Sequence, residues 1–281
     1  MNTRLFNQFN PYTLTIFSLL LMLLFSPLSN AAPDNKPIAF WSGSNENSET
    51  VIDHTLWQKL LDTYLDTKNS SGINLFNYAA ISSDDLKTLN NYVTNLQTLN
   101  PRDLNRAEQK AYWINLYNAL TVELILKNYP VKSITKIGKG FFAFGPWDDM
   151  LATIQGQELS LNNIEHGILR PFFKDNRIHY AVNCASMSCP NLSGSAYTAS
   201  NTDELLEQGA EQYINHQRGV KFEKEELQVS SIYHWYKDDF GGSDKSLIAH
   251  LLQYAKPDLA KHLIVYQGDI DHDYDWSLNQ P

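Results

Sequence analysis

Residues 106–127 read RAEQKAYWINLYNALTVELILK, and this stretch decides the fold. Over 111–126 apolar side chains fall on nearly every face rather than on one stripe, so the spacing predicts a helix enclosed by protein on all sides. Asn115 and Asn118 interrupt it. Three residues apart, they share one face, and amides aimed into an apolar interior need hydrogen-bond partners. Pro130 lies just beyond the end of the run and marks its stop.

Outward from this helix the pattern stays helix-rich. After Asp53, Leu56, Trp57, Leu60, Leu61, Tyr64 and Leu65 recur at helical spacing, and after Ser82 so do Leu86, Leu89, Val93 and Leu96. Downstream, 154–159 predicts a short hairpin. Ser160 caps a helix over 161–169 that Pro171 stops, and 178–183 predicts a buried strand followed by an irregular loop over 184–194. A helix over 203–215, short strands near Val220 and Leu227, two helices separated by Gly241-Gly242 and a last strand over 263–267 complete the reading. The class is α+β: a single helix-rich domain with a small sheet over 53–281, to which a papain-like or transglutaminase-like arrangement is an analogy only.

The N-terminus carries Arg4, then an uncharged Leu-rich run over 14–25, then Pro27 and the small residues Ser29 and Ala31. This is the pattern of a signal peptide over 1–31. The run falls short of the roughly 20 residues a spanning helix needs, so the expectation is cleavage after Ala31, no membrane span thereafter, and a periplasmic or secreted protein. Pro33, Pro37, Gly43 and the Ser/Asn/Glu run predict a flexible lead-in over 32–52. A formal charge of −9 without a basic stripe argues against a nucleic-acid partner.

The chemistry-bearing residues sit in a few segments. YWINLYNALT starts at Tyr112, LSLNNIEHGILR at Leu159, RIHYAVNCASMSCPNL at Arg177, WYKDDF at Trp235 and YDWSLN at Tyr274. Taken together in this order they resemble the exported bacterial branch of the family known as domain of unknown function 547, over about Trp57 to Asn279. The resemblance implies a single family domain and little about activity.

Read as chemistry, Cys184 stands where the predicted strand gives way to a loop, a common position for a nucleophile because backbone amides there can face a reacting oxygen. Cys189 is the second choice. His166 and His179 are the bases that would favour a thiolate. Glu165 is adjacent to His166 on a helix and points about 100° away, so Asn115, Asn118 or Asp275 are better placed to orient the imidazole. The expected activity is a thiol-dependent hydrolase or acyl-transferase acting on an amide or ester, its partner an envelope substrate or protein. The alternative is a non-catalytic binding module whose recognition loop is stapled by a Cys184–Cys189 disulfide, the ordinary state of paired cysteines in an oxidising compartment. His166, His179, Cys184 and Cys189 could supply four zinc ligands, but their spacing matches no compact signature. Asp269, Asp271, Asp273 and Asp275 lack the turn Gly and distant Glu of a calcium loop, and a strand with one acidic face accounts for them. No cofactor is expected.

Overall fold

In a computed structural model, which describes residues 35–138 and 145–281, the enclosed helix is the axis of the molecule. Helices α1 (Thr55–Tyr64) and α2 (Ser83–Thr98) precede it, and α3 is Arg106–Lys127, buried almost without break from Ala111 to Ile125. Asn105 caps α3 by accepting from the Glu108 N–H, and Ser82 caps α2 by accepting from Asp85. Both α2 and the later helical segments 161–173 and 202–214 pack on α3, so every face of it meets protein.

The predicted hairpin is β3 (Ala152–Ile154) with β4 (Gln157–Leu159), after the two-residue pair β1 (Leu65–Asp66) and β2 (Leu75–Phe76). Gln155 and Gly156 both take positive φ, 49° and 74°, as a type I′ turn requires. A three-stranded sheet follows in the order β5 (Val220–Glu223), β6 (Glu226–Ser230), β7 (Ile270–Asp273). Its β5–β6 pair is antiparallel and its β6–β7 pair parallel. The sheet sits in a second apolar cluster with α5 (Thr202–Ile214), α6 (Ser231–Trp235), α7 (Asp244–Tyr254) and α8 (Pro257–Val265). The described chain is therefore α+β, helix-rich with small sheets, and Pro33–Pro281 is one compact unit.

Three expectations are corrected. The segment 178–183 is not a strand: Asn176–Tyr180 is a 3-10 turn, and Ala181 and Val182 both donate back to Ile178 O. Two of its backbone groups are met by a side chain instead of a neighbouring strand: Asn118 donates to Ala181 O (2.9 Å) and accepts from Asn183 N (2.8 Å). Pro171 does not stop its helix. Helix α4 runs as an α segment Leu161–Ile164, a π segment Glu165–Leu169 and an α segment Arg170–Phe173. The wider π turn relieves the clash a proline ring has with the preceding turn.

The last strand is also displaced. Residues 263–265 end helix α8, which Pro257 begins, and the strand is Ile270–Asp273, carrying Asp271 and Asp273 exposed. The described part of the lead-in is mostly exposed and anchored at two points: Trp41 is 2 % exposed and meets Trp113 edge-on at 5.2 Å, and Ile52 N donates to Glu108 Oε1 at 2.7 Å. A polar average hid one anchoring indole. The signal peptide read over 1–31 lies outside the described residues.

Asn115 works on α3 as Asn118 does. It is 0 % exposed, donating to Tyr197 O at 2.7 Å and accepting from Tyr197 N at 3.0 Å. Asn115→Leu strips both backbone groups of Tyr197 of their partner and is expected to destabilise by roughly 1–3 kcal/mol. A thermal melt equal to wild type would show those groups finding other partners.

Candidate functional site

The site is built from two adjoining parts, a buried charge network and a thiol loop. Helix α4 contributes Glu165, His166 and Arg170; the 3-10 turn contributes His179; a second 3-10 turn, Lys237–Phe240, contributes Asp239. The Arg170 guanidinium grips Asp239 with Nε to Oδ2 at 2.6 Å and Nη2 to Oδ1 at 3.1 Å. His179 Nε2 reaches Asp239 Oδ2 at 2.7 Å, while its Nδ1 lies 3.6 Å from Glu165 Oε1. Tyr236 forms one wall: the His179 ring stacks on it at 4.1 Å and the Arg170 guanidinium stands 5.1 Å over it.

The charges explain one another. Burial would raise the Glu165 carboxyl, but the neighbouring His166, His179 and Arg170 hold it down at about 2. Asp239 is likewise depressed, its burial outweighed by hydrogen bonds from His179 and Arg170. Burial would lower His179, but Asp239 and Glu165 overcome it and raise its pKa, so the two carboxylates favour the imidazolium between them. Two anions and two cations thus neutralise each other out of water, the condition under which buried charge is tolerated.

His166 behaves differently. Its Nδ1 sits 3.1 Å from Arg170 Nη1. A guanidinium only donates, so Nδ1 must be the unprotonated nitrogen and the neutral ring carries its proton on Nε2. Burial lowers its pKa further. In this arrangement the lone pair of His166 is turned toward Arg170, and what the ring offers elsewhere is a donor at Nε2. His179 lies between Asp239 and Glu165, which favour its protonated form.

The thiol loop lies beside this network. Cys184 is half-buried, with Sγ 3.2 Å from Ser186 Oγ and 3.1 Å from Tyr274 Oη. Ala185 takes φ +58°, a left-handed turn uncommon for a side-chain-bearing residue, and its N–H is held by Asn183 Oδ1 at 2.8 Å. Cys189 is 3 % exposed and its Sγ accepts from Cys184 N at 3.0 Å; both cysteines are free thiols. Burial pushes the Cys184 thiol up and the Glu165 charge adds to that. Hydrogen bonds from Cys189, Ser186 and Tyr274 outweigh both, and the net shift is downward. Burial and the adjacent Cys184 push Cys189 well up. One low and one high thiol share one loop.

Of the other residues read from the sequence, Asn115 and Asn118 tie α3 to backbone and do not reach His166, whose hydrogen bond among the described residues is to Arg170. Asp275 is exposed, its backbone paired with Ser188 and its carboxylate accepting from Ser277 N at 2.8 Å. Among the described residues no group of three or more His, Cys, Asp or Glu is arranged to hold a metal ion. Arg170, Tyr236, Asp239, Ser186 and Tyr274 were not singled out, although each stands inside a segment quoted above. The one available signal was the i, i+4 spacing of His166 and Arg170, which puts a guanidinium against the imidazole.

No curated protein matches the chain, and no solved structure does. Residues 101–214 match the model of a family described as a protein of unknown function, DUF547, and because that span holds α3, the π-helical Glu165-His166 segment, His179 and both cysteines, the match supports membership of this family.

Proposed function

We propose that Cys184 is the nucleophile of a thiol-dependent hydrolase or acyl-transferase, acting on an amide or ester outside the cytoplasm. The observation that carries this reading is the thiol's position: the Sγ of a partly buried cysteine within 3.2 Å of two hydroxyls, on a loop whose next residue is held left-handed. Hydroxyl donors favour a thiolate as an imidazole does. In the step envisaged, the Cys184 sulfur attacks the carbonyl carbon and its proton passes through the Ser186 and Tyr274 hydroxyls to the departing nitrogen or oxygen. Water or an acceptor amine then releases the acyl group and returns a proton to sulfur. Export rests on the 14–25 apolar run and the Ser29-Asn30-Ala31 sequence before the expected cleavage site.

The test is the rate of iodoacetamide alkylation against pH. Wild type is expected to show an inflection below the roughly 8.5 of a free cysteine, absent from Cys184→Ala. Tyr274→Phe and Ser186→Ala should move the inflection upward, whereas His166→Ala should leave it in place. An inflection that follows His166 and ignores Tyr274 would overturn the assignment of donors. An absence of any free thiol in natively purified protein would instead favour the stapled binding module.

A further inference from the structure

We infer that Cys184 and Cys189 also work as a dithiol pair that exchanges with small disulfides, Cys184 attacking and Cys189 resolving. The inference rests on the reading above only in taking Cys184 to be a reactive thiol. Acyl transfer has no use for a second cysteine, yet the loop is built to bring one in. The left-handed turn at Ala185 curls the chain until Cys189 Sγ faces Cys184 N at 3.0 Å, and Cys189 N closes the turn on Ser186 O at 3.1 Å. Asn183 ties both ends, accepting from Ala185 N and donating to Pro190 O at 2.7 Å. As residues, Cys184 is partly exposed and Cys189 is 3 % exposed, so a reagent from solution meets Cys184 before Cys189. That division matches an attacking thiol with a lowered pKa and a silent partner.

A cation stands at the same loop. Arg218 donates through Nη1 to Met187 O at 3.1 Å and through Nη2 to Asn191 Oδ1 at 2.5 Å, and its buried Nε has no partner. Among the described residues no carboxylate pairs with it, and burial lowers its pKa, offset in part by the charge that Tyr213 and Cys189 can carry. Arg218 is thus a positioning residue that clasps the loop and offers uncompensated positive charge to a thiolate forming at Cys189.

The exchange balances as follows. The Cys184 thiolate attacks one sulfur of a disulfide R–S–S–R, forming a mixed disulfide and releasing R–S⁻. Cys189, deprotonated, attacks the Cys184 sulfur, forming the Cys184–Cys189 bond and releasing the second R–S⁻. Two electrons pass from the pair to the small disulfide, and the two cysteine protons end on the two released thiols.

The experiment exposes the reduced full-length chain to oxidised glutathione, quenches with acid and reads intact mass. Wild type is expected to reach the internal disulfide with little mixed disulfide. Cys189→Ser, with Cys189→Ala as a second variant should one fold poorly, should hold a lasting glutathione adduct at Cys184, and Cys184→Ser should lose it. Arg218→Gln should slow decay of the adduct by about tenfold, the effect of one unit in a thiol pKa, and Arg218→Lys should restore it. A wild-type adduct as lasting as that of Cys189→Ser overturns the inference. If Cys184 alkylates with a lowered inflection but forms no adduct, the exchange fails while the nucleophile stands; if it does neither, both fail.

Discussion

Asp239→Asn is expected to destabilise the protein by about 3–5 kcal/mol, the range for removing one partner of a buried ion pair. Among the described residues, Asp239 is a carboxylate that binds both cations: it accepts two bonds from Arg170 and one from His179. An amide at this position can accept on one side only, so its NH2 would face an N–H of Arg170 or His179. Glu165, 3.6 Å from His179, does not replace the direct bonds that Asp239 makes. Asp239 is a fifth exposed, so water recovers part of the loss and the lower end of the range is expected. Urea denaturation should show a lower midpoint with an unchanged slope. A shift below about 1 kcal/mol would mean that the network is solvated and Asp239 is an ordinary surface partner.

The same residues show what the sequence could and could not disclose. Helix α3 was legible because its apolar residues surround it, and a helix with no polar face has one place to go. The hairpin was legible from Gln155-Gly156, whose turn chemistry is local. The segment 178–183 was not, because a short apolar run fits a buried strand and a buried 3-10 turn equally well. The deciding partner, Asn118, lies 63 residues from Ala181. The site divides in the same way. Cys184, Glu165, His166 and His179 could be named from their residue types and segments. Their roles depended on Tyr274, 90 residues from Cys184, and on Asp239, 60 from His179, and long-range pairs leave no periodic signal. His166 is the exception: Arg170, the partner of its Nδ1, is only four residues away.

Stability is expected to peak near neutral pH and to fall in two stages on acidification. Three groups set the first stage. His54 and His250 are buried with pKa values lowered to about 4 by burial, and His166 is lowered for the same reason. A depressed group contributes stability that is complete above its unfolded pKa of 6.5 and is lost as pH falls toward its folded value. From about 6.5 to 4, each proton taken up on unfolding costs about 1.4 kcal/mol per pH unit.

The second stage belongs to the carboxylates. Glu165 and Asp175 sit at about 2 against ordinary values of 4.5 and 3.8. His166, His179 and Arg170 offset burial at Glu165, and hydrogen bonds from Arg177 and Lys110 do so at Asp175. Their contribution is complete above those ordinary values and disappears as pH falls through about 2, amounting to a few kcal/mol in total. His179 has the opposite sign: its raised pKa stabilises fully below 6.5 and is lost on the alkaline side, as pH rises through its folded value. His250→Asn, which keeps a polar group opposite Tyr180 Oη, should flatten the first stage and leave the second unchanged. Urea midpoints measured from pH 8 down to pH 3 in both proteins check this. A His250→Asn curve parallel to wild type between about 6.5 and 4 would show that His250 titrates alike in the folded and unfolded chain.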